Sequence, residues 1–210
     1  MKFITNPVEI EKRSFEIITE KLLGRQFDPE NLNVIKRVIH TTADFDYADN
    51  LIFSHDAVKI AKEIFKNGAQ IVTDTQMARS GINKKVVAEL GCALHCFIDV
   101  PEVAEIAEAK GLTRARSAVD RAVETLENPI VFIVGNAPTA LIRLYELICH
   151  HGFSPTMIVA VPVGFVNVVE SKELILSLQI PHIIAKGQKG GSNVAAAICN
   201  ALLYEARELI

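Results

Sequence analysis

Tryptophan is missing from this chain, and aromatic residues fill only 6% of its 210 positions. The apolar half is therefore mostly Ile, Val, Leu and Ala, the aliphatics that suit strands buried on both faces. A basic excess is also lacking: 22 Lys and Arg against 25 Asp and Glu leave a formal charge of −3. That balance argues against a dedicated nucleic-acid binder, which carries a basic stripe. A few local arginines still suffice for a small anion. No apolar run approaches the roughly 18 residues that suggest a membrane span. Cys92, Cys96, Cys149 and Cys199 lack the spacing of a secreted disulfide scaffold, and no signal peptide is recognisable, so a reducing cytoplasm is expected. Low-complexity tracts, internal repeats and linkers are missing too, and residues 1–210 are expected to form one soluble domain.

What is there reads as alternation. Asn6-Pro7-Val8-Glu9 combines an N-cap, a first-turn proline and a capping-box acid. It predicts a helix to about Leu23 with Ile10, Ile17, Ile18 and Leu22 inward. Asp28-Pro29-Glu30 repeats the signal for a second helix ending near Ile39 or His40, with Leu32, Ile35 and Ile39 inward. Ser54 is expected to cap a third helix over 55–66. Beyond it, 69–73, 92–98, 130–134, 157–161 and 182–185 read as strands separated by helical patterns, and a long alanine-rich helix follows Ser192. Residues 74–81 read as a polar turn before a helix over 84–90. Such alternation implies right-handed crossovers and a parallel sheet covered on both faces. Ligands of such sheets sit outside the carboxyl ends of the strands. Four of the five expected strands lead into turns holding Gly, Ser, Thr, Asn, Arg or Lys.

Chemistry concentrates in Arg37-Val-Ile-His-Thr-Thr-Ala-Asp44. Asn33, Arg37 and His40 follow i, i+4, i+7 spacing, a polar stripe that is either a solvated face or one wall of a site. Its continuation into Thr41-Thr42-Ala43-Asp44 favours the site, with His40 doing proton chemistry. Ser14, four residues from both Ile10 and Ile18, either bonds its own helix backbone or touches a ligand. On the strand edge, Thr73, Asp74, Asn136 and Ser192 are candidate substrate contacts; the last two lead into helix N-termini, which favour anions. Neither turn fits a nucleotide motif: 135–140 lacks the glycines of G-x-G-x-x-G, and 187–192 lacks P-loop spacing. Cys92, His95 and Cys96 invite a metal reading, but strand alternation points His95 away from both cysteines, so they read as core. His150 and His151 suit the dipole at a helix end, and Asp46 and Tyr47 serve equally as loop-closing or catalytic groups. No G-x-S-x-G elbow or H-E-x-x-H pair is present.

Five blocks in order complete the reading: Arg37-Val-Ile-His-Thr-Thr-Ala-Asp; Thr73-Asp-Thr-Gln-Met; Val134-Gly-Asn-Ala-Pro-Thr-Ala-Leu; Val161-Pro-Val-Gly-Phe-Val with Glu170-Ser-Lys; and Lys189-Gly-Gly-Ser with Asn200-Ala-Leu. Together they resemble the precorrin-8X methylmutase family of cobalamin biosynthesis over essentially the whole chain. The resemblance implies a homodimer with a flavodoxin-like, five-stranded parallel sheet of order 2-1-3-4-5, helices on both faces and an N-terminal helical extension. It implies migration of a methyl group from C-11 to C-12 of precorrin-8X or cobalt-precorrin-8, without a cofactor or a protein-bound metal. The family's catalytic histidine falls on His40, its substrate-contacting serine and arginine on Ser14 and Arg37, and a further active-site arginine on Arg114, with Arg116 as the rival. The substrate's many carboxylates suit arginine forks and helix N-termini.

Overall fold

Asn6 accepts hydrogen bonds from the amides of Val8 (3.0 Å) and Glu9 (3.2 Å), and so starts helix α1 (Pro7–Lys21). A computed structural model of the chain describes residues 3–54 and 56–208. After α1 come α2 (Leu32–Thr42), α3 (Tyr47–Asn50), β1 (Leu51–Phe53), α4 (Ala57–Lys66), β2 (Gln70–Thr73), α5 (Gln76–Gly81), α6 (Lys84–Glu89) and β3 (Ala93–His95). The second half runs α7 (Pro101–Lys110), α8 (Arg114–Thr125), β4 (Ile130–Val134), α9 (Pro138–His151), β5 (Met157–Ala160), α10 (Val168–Leu176), β6 (His182–Ala185) and α11 (Ser192–Arg207). Gly111 and Gly152 end α7 and α9 in the left-handed conformation.

The strands form one sheet of order β1-β6-β5-β4-β2-β3. Strands β2 to β6 pair in parallel, while β1 lies antiparallel on β6 with Leu51 opposite Ala185. The expectation of a five-stranded, all-parallel sheet is therefore corrected to six strands of mixed sense. Strand β1 is three residues long, too short for any periodicity, and it forms because β6 offers an open edge. Ser54 belongs to the same junction: its amide donates to the His182 carbonyl (2.9 Å) and its hydroxyl accepts from the His182 amide (2.8 Å). Asp56, not Ser54, directly precedes α4; His55, the expected first residue of that helix, lies outside the described residues.

Alternation along the strands separates two cores. Ile71, Val131, Ile133, Val159 and Ile183 pack towards α2, α4 and α11, whereas Val72, Phe132, Val134, Ile158 and Ile184 pack towards α8, α9 and α10. Each such side chain, fully buried, contributes roughly 1.5–3 kcal/mol of transfer free energy, which fixes the strand register firmly. The N-terminal helices form an outer layer: α11 lies against α2, and α1 rests on α2. Consequently only Ile18 and Leu22 of the expected α1 stripe are buried, while Ile10 (44%) and Ile17 (38%) are exposed because α1 has a neighbour on one side only. The stretch read as a polar turn contains α5, whose N-cap Thr75 accepts from the Ala78 amide at 3.1 Å. The strand expected over 92–98 is confined to β3.

Candidate active site

Helix α2 exposes His40 on its last turn and then stops at Ala43, which is left-handed at φ 55°. The hydroxyls of Thr41 and Thr42 turn inward to donate to the carbonyls of Arg37 (3.0 Å) and Val38 (2.9 Å). Asp44 and Asp46 follow, and the Lys189 ammonium lies 2.6 Å from a carboxylate oxygen of each. Lys189 belongs to the loop between β6 and α11, so this contact ties the end of α2 to the carboxyl edge of the sheet. The ammonium holds the Asp44 carboxyl below its ordinary range, and the two acids hold Lys189 above the usual lysine value. Tyr47 beside them is buried and pushed up, first by burial and then by Asp44.

The His40 ring stacks on Phe15 of α1, with centroids 5.1 Å apart and planes 23° apart. It lines a cavity of about 270 Å³ shared with Arg37, Gly81, Asn193, Asn200 and Tyr204. The Arg37 guanidinium stands 4.7 Å from the Phe15 ring centre and 5.4 Å from that of Tyr204, and donates to Glu11 at 2.6 Å. It also borders a second groove of about 730 Å³ between α1 and α2. The Ser14 hydroxyl donates to the Ile10 carbonyl at 2.9 Å, which leaves its oxygen lone pairs available to accept.

The other sequence candidates sit at the sheet edge, and the side chains of Thr73, Asp74 and Ser192 and the backbone amide of Asn136 are engaged by the protein itself. Thr73 is buried, its hydroxyl within reach of the carbonyls of Thr75 (3.1 Å) and His95 (3.2 Å). Asp74 fills the turn after β4: Oδ1 accepts from the Gly135 amide (2.9 Å), and Oδ2 accepts from the amides of Asn136 and Ala137 (2.8 Å each). The amides that the sequence offers to an external anion thus face an internal one. Burial pushes the Asp74 carboxyl up, against the pull of those three donors. The Ser192 hydroxyl is 2.8 Å from that of Thr75. These contacts pin the first turn of α11 against the β2–α5 turn.

The family model for precorrin-8X methylmutase matches residues 9–205. The chain belongs to the precorrin-8X methylmutase family. It is 46% identical to the cobalt-precorrin-8 methylmutase of Salmonella typhimurium, over 99% of this chain and all of that one. Identity to the enzyme of the same description from Leptospira interrogans is 42%, over 97% and 96% of the two chains. The precorrin-8X methylmutase of Pseudomonas aeruginosa is 35% identical, over 97% and 98%. The solved precorrin-8x methyl mutase of Thermus thermophilus superposes with a TM-score of 0.87 at 35% identity, covering 95% of this chain and 98% of that one. Membership makes the protein an isomerase of cobalamin biosynthesis.

In this methylmutase the two rival arginines have different surroundings. Arg116 makes a bidentate pair with Glu146 (2.9 and 2.7 Å), which also accepts from Arg143 at 2.8 Å. Arg114, at the start of α8, is exposed. The hydroxyl of its neighbour Thr113 donates to Thr139 on the first turn of α9, so Arg114 stands on the carboxyl side of β4. His95 bonds Gln70 (2.7 Å) and stacks on Phe97, and among the described residues no three His, Cys, Asp or Glu side chains gather as a metal site. No helix among them is long and apolar enough to cross a membrane.

Sequence reasoning missed the partners of the central stripe. Glu11 and Phe15 stand one helical turn apart on α1, a legible spacing, but nothing local pointed them at Arg37 and His40. Lys189 was visible only as part of a glycine-rich turn.

Proposed function

We propose that the chain moves a methyl group from C-11 to C-12 of cobalt-precorrin-8, with His40 as proton donor and acceptor. The observation that carries this reading is the setting of His40: exposed, stacked on Phe15, and lining a cavity with Arg37 at the clamped end of α2. The shift needs no nucleophile. The methyl migrates with its bonding pair; the protein must redistribute electrons in the conjugated ring. His40 in its protonated form gives a proton to the macrocycle, C-11 loses its bond to the methyl as C-12 gains one, and the imidazole recovers a proton. The sum is an isomerisation, with no atoms gained or lost. A positioned general acid of this kind is worth roughly 10²–10⁴ in rate.

Arg37 and Arg114 serve as forks for the substrate's peripheral carboxylates, and Ser14, its proton held by the Ile10 carbonyl, accepts a hydrogen bond beside them. Thr73, Asp74, Asn136 and Ser192 build the edge against which the substrate rests. The cobalt-bearing form is preferred because the relatives described as cobalt-precorrin-8 methylmutases reach 46% and 42% identity, against 35% for the precorrin-8X enzyme of Pseudomonas aeruginosa. We further propose a homodimer, since Ile10 (44% exposed) and Ile17 (38%) share a face of α1 that is left without a neighbour. Two measurements test the reading. Cobalt-precorrin-8 and metal-free precorrin-8X, incubated separately with the protein, should both be followed by absorption, with faster conversion of the cobalt form. Conversion of neither overturns the function, and faster conversion of the metal-free form reverses the substrate preference. Sedimentation should give twice the 23.1 kDa chain mass.

A further inference from the structure

Lys172 is the one lysine that the core encloses among the described residues, at 2% exposure. It lies on α10, and its ammonium donates to the carbonyls of Gly187 (2.7 Å) and Lys189 (2.9 Å). Burial alone pulls it down to about 8, and no carboxylate offsets that. A buried cation without a counter-charge is costly, and an apolar side chain of similar length would fill the same space. What the ammonium supplies is a fixed path for the backbone of residues 187–189.

That backbone is held from other sides as well. The Gly191 amide donates to the Val161 carbonyl (2.9 Å), and the Gly164 amide donates to the Gln188 carbonyl (3.2 Å). A Cβ on Gly190 would collide with the Val161 carbonyl, so the loop lies flat on the β5–α10 turn. From this seat Lys189 reaches Asp44 and Asp46, both at 2.6 Å. Those acids begin where α2 ends in a left-handed Ala43, one turn beyond His40. Helix ends fray when nothing holds them, and Phe15 touches His40 only from the α1 side.

We propose that Lys172 and Lys189 form a two-step clamp that sets the position of His40: Lys172 fixes the 187–189 backbone, and Lys189 grips Asp44 and Asp46. Both are positioning residues, and the proposal rests on His40 being the proton-transfer group. Misplacing a catalytic group by about 1 Å can lower a rate on the order of 100-fold, so the clamp acts on kcat.

The test compares Lys189→Met, Lys189→Arg, Lys172→Met, the double Lys172→Met/Lys189→Met and His40→Ala in the full-length protein, using cobalt-precorrin-8. Each is assayed for kcat, KM and thermal midpoint. Lys189→Met should lose about 10- to 100-fold in kcat, with KM within about threefold of wild type and the protein still folded. Lys189→Arg should recover most of the rate. The double variant should be no slower than the slower single, because both act through one clamp. A wild-type kcat in Lys189→Met overturns the proposal. So does a loss confined to KM, which would make Lys189 a substrate contact. A folded Lys172→Met with wild-type kcat removes Lys172 from the clamp; should that variant not fold, the Lys189 pair decides. Turnover by His40→Ala would break the underlying mechanism instead, whereas an inactive His40→Ala beside a fully active Lys189→Met breaks the clamp alone.

Discussion

Replacing Asp74 with Asn exchanges one carboxylate oxygen for an amide nitrogen and should destabilise the fold by about 2–3 kcal/mol. The carboxylate accepts three amide hydrogens from consecutive residues, at 2.9, 2.8 and 2.8 Å. An asparagine keeps one acceptor. Its best orientation keeps the Asn136 and Ala137 bonds and turns its NH₂ towards the buried Gly135 amide, donor against donor. The lost charge-assisted bond and the orphaned amide together cost about 2–3 kcal/mol, and the two surviving bonds weaken by a few tenths each. Relief from burying a charge offsets part of this, since burial pushes the Asp74 carboxyl up. The net loss is about 2–3 kcal/mol, a sizeable part of the 5–15 kcal/mol typical of a domain. For a chain of this length it lowers the thermal midpoint by roughly 4–12 °C. Urea unfolding followed by far-UV circular dichroism measures it, with the slope m unchanged. A loss under about 0.5 kcal/mol, the size of an ordinary surface change, would show that Asp74 does not hold the β4–α9 turn.

Two further predictions address charge. Lys172 titrates near 8 in the folded protein against an ordinary 10.5, so between those values the unfolded chain binds the extra proton and stability rises with pH. From pH 8 to 10 the wild type should gain about 2–3 kcal/mol relative to Lys172→Met; a pH-independent difference between the two refutes the buried ammonium. Arg114→Ala should raise KM about tenfold while leaving stability unchanged. Arg116→Ala, which breaks a part-buried bidentate pair, should lose about 2 kcal/mol of stability with KM unchanged. The opposite pattern would transfer the substrate-binding role to Arg116.

The alternation of aliphatic runs with helical patterns was legible because the central strands β4, β5 and β6 are buried on both faces, as Ile130 to Val134 illustrate. Asn6 marked the start of α1 because caps are local chemistry. Strand β1 was not legible: Leu51–Phe53 has no pattern of its own and exists through pairing with residues 183–185. The apolar stripe of α1 misled for a related reason, since Ile10 and Ile17 have the spacing of a buried face but no neighbour in this chain. At the site, the Arg37 and His40 stripe was readable from spacing within one helix. The Lys189 contacts with Asp44 and Asp46 span 145 and 143 residues, beyond any local rule. Asp74 read as a candidate substrate contact because it stands at a strand end; that its carboxylate also holds the turn after β4 is visible only in the fold.

The central claim is that His40 moves the proton which licenses the methyl shift. Single turnover of cobalt-precorrin-8, with His40→Ala in excess over substrate and the product chromophore followed by absorption, tests it most directly. The prediction is substrate binding with an unchanged thermal midpoint and a rate lowered at least about 100-fold. Product formation at the wild-type rate would contradict it.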